Sequence, residues 1–154
     1  MILSSGGTND NIKIWNFNES KNILTISNIF YNGSSYYNAY SSCIIFEKNT
    51  FNIFCVNGDY PDYIKMYSSE GNLVKNTGNN NSQRFYIDSC ELDEKKYLIA
   101  GGNKGVEVYN YPDLTQYYCF IEGNDSQYHN YAKIVETNKG YNLIEVGNFS
   151  TIKI

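Results

Sequence analysis

The residues able to do chemistry in this chain are few and far apart. Asp59, Asp62, Asp88 and Glu91 supply carboxylates, and glycoside hydrolysis needs two of these facing each other across a cleft. Turn and solvated strand positions account for all four more simply. His129 is the single histidine. It could act as a general base only beside a group to deprotonate, and no Ser or Cys stands in a recognisable nucleophile setting. A loop histidine bonded to backbone or to a neighbouring element is the plainer reading. Gly6-Gly7 and Gly101-Gly102 lead into strand-like sequence. No helix N-terminus follows to hold a phosphate.

Cys43, Cys55, Cys90 and Cys119 each lie in an apolar, strand-like run, and none is spaced Cys-x-x-Cys. They read as reduced, mostly buried thiols used as small hydrophobes. Disulfides would need an oxidising compartment. Zinc would need ligands closer together than four separated cysteines and one histidine. No catalytic residue, metal or cofactor is expected. Asn32, Asn80, Asn124 and Asn148 open Asn-x-Ser patterns, which arise by chance in so Asn-rich a chain.

The net charge is −4 and the basic residues are scattered, so the clustered cations that grip nucleic-acid phosphates are missing. No apolar run approaches the roughly 18 residues of a membrane span. The opening Met-Ile-Leu-Ser-Ser-Gly-Gly has neither the charged nor the apolar region of an export signal. A cytoplasmic protein is expected, with no nucleic-acid or membrane partner.

The elements that must position these groups are strands. Tyr97–Asn110 holds two short apolar runs, Leu98-Ile-Ala100 and Val106-Glu-Val108-Tyr109, joined through Gly101, Gly102 and Gly105. Glycines there permit the positive φ angles of a tight reversal. The pattern occurs four times. Leu3–Gly7 is followed by Ile12–Asn16, Phe54–Gly58 by Ile64–Ser68, and Leu143–Gly147 by Ile152–Ile154. The closing aromatics Trp15, Tyr67 and Tyr109 recur at intervals of 52 and 42 residues, near the roughly 40–45 of one propeller blade. Sixteen Tyr and eight Phe suit strands, and two Pro with twelve Gly suit many turns. No helical periodicity is present.

The run Ser5-Gly-Gly…Asn11-Ile-Lys-Ile-Trp-Asn16 resembles two adjoining strands of a WD40 repeat, whose ending is Trp-Asp. That pair stands here as Trp15-Asn16, Tyr67-Ser68 and Tyr109-Asn110. His129, after Tyr128, falls where the family has Gly-His. The Asp of the family's buried tetrad is replaced by Asn9, Pro61, Asn103 and Phe149, so the tetrad is expected to be absent.

The resemblance implies an all-β, WD40-like β-propeller. The chain would give about three and a half to four blades of antiparallel four-stranded sheets, a partial ring with blades at 1–27, 36–76, 84–122 and 131–154. Within them, Asn28–Tyr40 is expected as a loop, Ser42–Glu47 and Arg84–Leu92 as inner strands, and Gly123–Asn130 as a loop. The first blade would lack its inner strand and the last its outer one. The ring would then be completed by further blades or by a second copy, and the isolated chain would be poorly soluble or self-associate through its blade ends.

The resemblance further implies a non-enzymatic protein–protein interaction or scaffold module that docks a protein or peptide on one propeller face. The loops of that face carry Tyr36, Tyr37, Tyr60, Tyr63, Arg84, Tyr86, Tyr128 and His129, with Tyr40 and Tyr131 beside them. Tyr and Arg are enriched at interface hot spots. Two other readings stay open. One is a propeller enzyme or glycan-binding domain using paired loop carboxylates. The other is a regulatory half-domain attached to an enzymatic one.

Overall fold

The computed structural model describes residues 1–6, 11–21, 23–31, 40–56, 63–77, 83–103, 105–120 and 129–147. Among them there is no helix. All pairings are antiparallel, and each sheet is a simple meander. Sheet one holds β1 (Ile2–Ser5), β2 (Asn11–Asn18) and β3 (Ile23–Tyr31). Sheet two holds β4 (Ser41–Phe46), β5 (Phe51–Val56), β6 (Lys65–Ser68) and β7 (Leu73–Asn76). Sheet three holds β8 (Arg84–Leu92), β9 (Lys95–Gly102), β10 (Gly105–Asn110) and β11 (Gln116–Phe120). Sheet four holds β12 (His129–Thr137) and β13 (Gly140–Gly147).

Two expected loops are shorter than the sequence suggests. Asn28–Tyr31 continues β3, with Asn28 opposite Ile14 and Tyr31 opposite Asn11. Ile29 and Phe30 favour an extended backbone, and a partner strand is at hand. His129 and Asn130 belong to β12 rather than to the loop before it, and His129 pairs with Gly147. Residues 148–154, where the fourth glycine turn and its second strand were expected, lie outside the described residues.

A structural repeat underlies the sequence one. Trp15, Tyr67 and Tyr109 each stand opposite an aliphatic residue of the preceding strand: Ile2, Ile53 and Leu98. Immediately before each aromatic, the register to the following strand slips, at Ile14/Trp15, Met66/Tyr67 and Val108/Tyr109. A bulge of this kind kinks the strand and increases its twist. Trp15 itself is half-buried, and its indole Nε1 donates to Ser4 Oγ at 2.8 Å within sheet one.

The sheets pack face to face in chain order. Ile12 and Ile14 of sheet one meet Ile53, Cys55 and Tyr67 of sheet two. The other face of sheet two gives Cys43, Ile45, Phe54, Val56 and Met66 to a core shared with Ile87, Leu98, Ala100 and Tyr109 of sheet three. The far face of sheet three packs Ile99 and Val106 on Ala132 of sheet four. Side chains alternate between faces along a strand, so the stretch of a strand that is covered on both sides must be apolar at every position. Ile53, Phe54, Cys55 and Val56 are all fully buried in β5. The first strands β4 and β8 lie against each other, where Ser41 Oγ donates to the Ile87 carbonyl at 3.3 Å and accepts from its N–H at 3.2 Å.

The glycine turn between β9 and β10 works differently from expectation. Gly105 takes φ +103°, whereas Gly101 and Gly102 do not adopt positive φ. Gly102 is required by space. A Cβ there would lie 1.8 Å from the Gln83 carbonyl oxygen and 2.9 Å from Arg84 Cα. That carbonyl accepts from Asn103 N–H at 3.0 Å, and Asn103 Oδ1 accepts from Gln83 N–H at 2.9 Å. Substituting Gly102→Ala therefore forces backbone apart. It is expected to cost about 1–3 kcal/mol or more, read as a lower urea midpoint. A variant as stable as the parent would show that the approach of Gln83 is not fixed.

Candidate functional site

Arg84 opens β8 opposite Gly102, and the register slips between Arg84 and Tyr86. Phe85 is the extra residue. Without the bulge, strand alternation would put Arg84 on the face opposite Ile87; with it, both share one face. Ala100 and Gly102 line β9 on that face, and Glu107 stands beyond Ala100 on β10. Nothing larger than a methyl group intervenes, so the guanidinium reaches across β9. Arg84 Nε donates to Glu107 Oε2 at 2.6 Å, and Nη2 donates to Glu107 Oε1 at 3.1 Å and to Tyr109 Oη at 2.9 Å. Arg84 is 1% exposed, Glu107 7% and Tyr109 2%. Burial pushes the Tyr109 phenol up, and the nearby Arg84 charge partly offsets this.

Arg84 was expected on a docking loop; it is instead a buried strand residue whose donors are turned inward. Glu107 was not singled out from the sequence. Its signal was a lone acid between two valines in an otherwise apolar strand.

The residues around that clasp form a different surface. At the end where β4, β8 and β12 begin, Tyr40 meets Phe85 edge-on with ring centroids 5.8 Å apart. Tyr86 meets Tyr131 at 4.6 Å. The bulge sets Phe85 toward sheet two and Tyr86 toward sheet four, so the rings join three successive sheets. Tyr40 is 50% exposed and Tyr131 40%. Tyr86 is half-buried, and its phenol is pushed up strongly by burial and then by the Asp88 carboxylate. Tyr63 is also half-buried, just before Ile64 at the same end of sheet two. The start of β12 repeats that of β8: its register slips between His129 and Tyr131 opposite Gly147. Tyr36, Tyr37, Tyr60 and Tyr128 lie outside the described residues. Of the eight docking candidates, Tyr63, Arg84, Tyr86 and His129 are thus described, and only Tyr86 joins the ring contacts.

At the opposite end sheets two and three are tied again. Lys96 Nζ donates to the Phe46 carbonyl at 2.6 Å and to Glu47 Oε1 at 3.2 Å. Asn52 Nδ2 donates to Tyr111 Oη at 2.8 Å, and Lys75 Nζ donates to the Asp113 carbonyl. The Tyr111 hydroxyl and the Lys96 ammonium hold the Glu47 carboxyl below its usual range.

The acids do not form a catalytic pair among the described residues. Asp88 and Glu91 sit three positions apart on β8, hence on opposite faces; Asp59 and Asp62 lie outside the described residues. Cys43, Cys55 and Cys90 are free thiols, the first two buried. Burial pushes Cys43 well up and Cys90 to about 11. Such thiols are poor nucleophiles and poor metal ligands at neutral pH. Among the described residues no helix is long and apolar enough to cross a membrane. No protein-family model matches the chain, and no curated protein matches it.

Removing Arg84 strands a buried carboxylate. Arg84→Ala is expected to cost about 3–5 kcal/mol, whereas Arg84→Met with Glu107→Leu should fold about as stably as the parent. Urea unfolding of both variants checks this; equal losses would mean the ion pair is not what the site depends on.

The raised thiol and phenol values carry a second prediction. Unfolded cysteine titrates near pH 8.5, and Cys90 in the fold near 11. The native state therefore holds protons that the unfolded state has released. Stability should be full below about pH 8.5 and fall as pH rises toward 11, with Cys90→Ala flattening part of the slope. Urea midpoints between pH 7 and 11 that do not move would contradict it.

Proposed function

We propose that the four sheets are successive blades of a WD40-like β-propeller, and that the chain is a non-enzymatic interaction or scaffold module. Its partner is a protein or peptide docked at the end where the first strand of each sheet begins. Three features support the propeller reading. Each sheet is a meander, successive sheets pack face to face in chain order, and the bulge beside the closing aromatic recurs in three sheets. The Arg84–Glu107–Tyr109 clasp occupies the interior of sheet three, where the family uses a hydrogen-bonded tetrad. Val146, 43% exposed at the last described sheet, favours completion of the ring by further blades or by a second chain. The free thiols favour a reducing, cytoplasmic setting.

The observation that carries the docking reading is the series of rings Tyr40, Phe85, Tyr86 and Tyr131 across three sheets. Tyrosine offers a large apolar face and a polar tip at low entropic cost, which is why it anchors interfaces. Arg84 stands behind this series. Its place in the site is to hold the bulge that presents Phe85 and Tyr86.

Selection of displayed peptides against the full chain tests the proposal. Selected peptides should lose about tenfold or more in affinity with Tyr40→Ala or Tyr131→Ala, as interface anchors do. They should be indifferent to Phe46→Ser, which alters an exposed ring at the other end of β4. Peptides insensitive to both tyrosines, or no enrichment at all, would refute it.

A further inference from the structure

At the end away from the ring contacts, sheets three and four diverge around an open cleft of about 320 Å³. Tyr97 and Val108 form one wall, and Ile134 and Leu143 the other. The β8–β9 turn supplies Asp93 at the mouth, and β13 supplies Tyr141. Among the described residues lining the cleft, Asp93 is the one that is charged. Its position is fixed from two sides. The turn holds Asp93 and Glu94 at φ +48° and +64°, and Tyr141 Oη donates to Asp93 Oδ1 at 2.9 Å. The Tyr141 phenol is pushed up by its bond to Asp93, with Glu136 adding negative charge nearby.

An apolar cavity of this size with a few convergent polar groups is the usual form of a small-molecule site. Its charge pattern selects the ligand. An apolar body can lie against Val108, Ile134 and Leu143. A positive head is drawn to the Asp93 carboxylate and to the faces of the neighbouring tyrosine rings. A carboxylate head would meet Asp93 and be repelled. We propose that this cleft binds a small organic cation: an amine bearing one aromatic or compact aliphatic group. The site is separate from the docking end and does not rest on it.

Amide-resolved NMR titration of the full chain with phenethylamine, 2-phenylethanol and phenylacetate tests the proposal. The three probes share a body and differ in head charge. Phenethylamine should give saturable shifts at Tyr97, Ile134 and Leu143, with an affinity about tenfold above the alcohol. That factor is the scale of a surface ion pair combined with a cation–ring contact. Phenylacetate should bind least. Asp93→Asn should bring the amine down to the alcohol's affinity. Asn tolerates the left-handed backbone of that turn, and unchanged shifts elsewhere would show the fold intact. Tyr141→Phe frees the carboxylate of its internal donor, so amine affinity should hold or rise. Equal affinity for amine and alcohol, shifts confined to other residues, no binding of any probe at millimolar concentration, or a Tyr141→Phe loss as large as that of Asp93→Asn would each overturn it.

Discussion

Ile53–Val56 of β5 and Leu98–Gly102 of β9 have no solvent side. Sheets two and three each pack on a neighbour at both faces, so every residue buried between them must suit an apolar environment or bring its own partner. The rest of the architecture answers to that constraint. Ile53 through Val56 and Leu98 through Ala100 obey it with hydrocarbon and a thiol. Thr77 obeys it by capping the start of β6: its Oγ1 accepts from Ile64 N–H at 3.1 Å, while its own N–H donates to the Ile64 carbonyl at 3.0 Å. Arg84 and Glu107 obey it by pairing.

That pair is costly to bury and costly to break, which are different statements. Desolvating two charges consumes most of what their attraction returns, so an apolar replacement of both can be as stable. What the pair supplies is placement. The guanidinium has one arrangement that satisfies Glu107 and Tyr109 together, and only a bulged β8 provides it. The bulge in turn aims Phe85 and Tyr86 at different neighbouring sheets. A buried electrostatic contact thus sets the direction of two rings that lie nearer the surface.

Much of the strand pattern was legible in the sequence. The strand expected at Arg84–Leu92 coincides with β8, and that at Ser42–Glu47 lies one residue from β4, because turn residues flank runs too short for helices. The hairpin at Tyr97–Asn110 was legible for the same reason. Arg84 was misplaced because facing is a property of register, and one inserted residue reverses it without leaving a mark in composition. Gly102 was assigned a dihedral role and has a steric one, since the residue pressing on it, Gln83, comes from another strand's approach. Glu107 gained its meaning only once Ala100 and Gly102 were seen to clear a path. Of the ring contacts where β4, β8 and β12 begin, the abundance of tyrosine was legible but which rings would meet was not. The cleft beside Asp93 depends on how two hairpins diverge, which no local pattern encodes.

The one tryptophan of the chain is Trp15, held to Ser4 inside the first sheet. Each described sheet packs on the next in chain order, so stability is shared between adjacent units and need not be lost in all of them at once. Intrinsic indole fluorescence therefore watches the first sheet, while the tyrosines, spread through every sheet, watch all of them. A denaturation followed by emission and one followed by tyrosine absorbance are observations of different parts of the molecule. Their separation on the denaturant axis would measure how tightly the first sheet is coupled to the second.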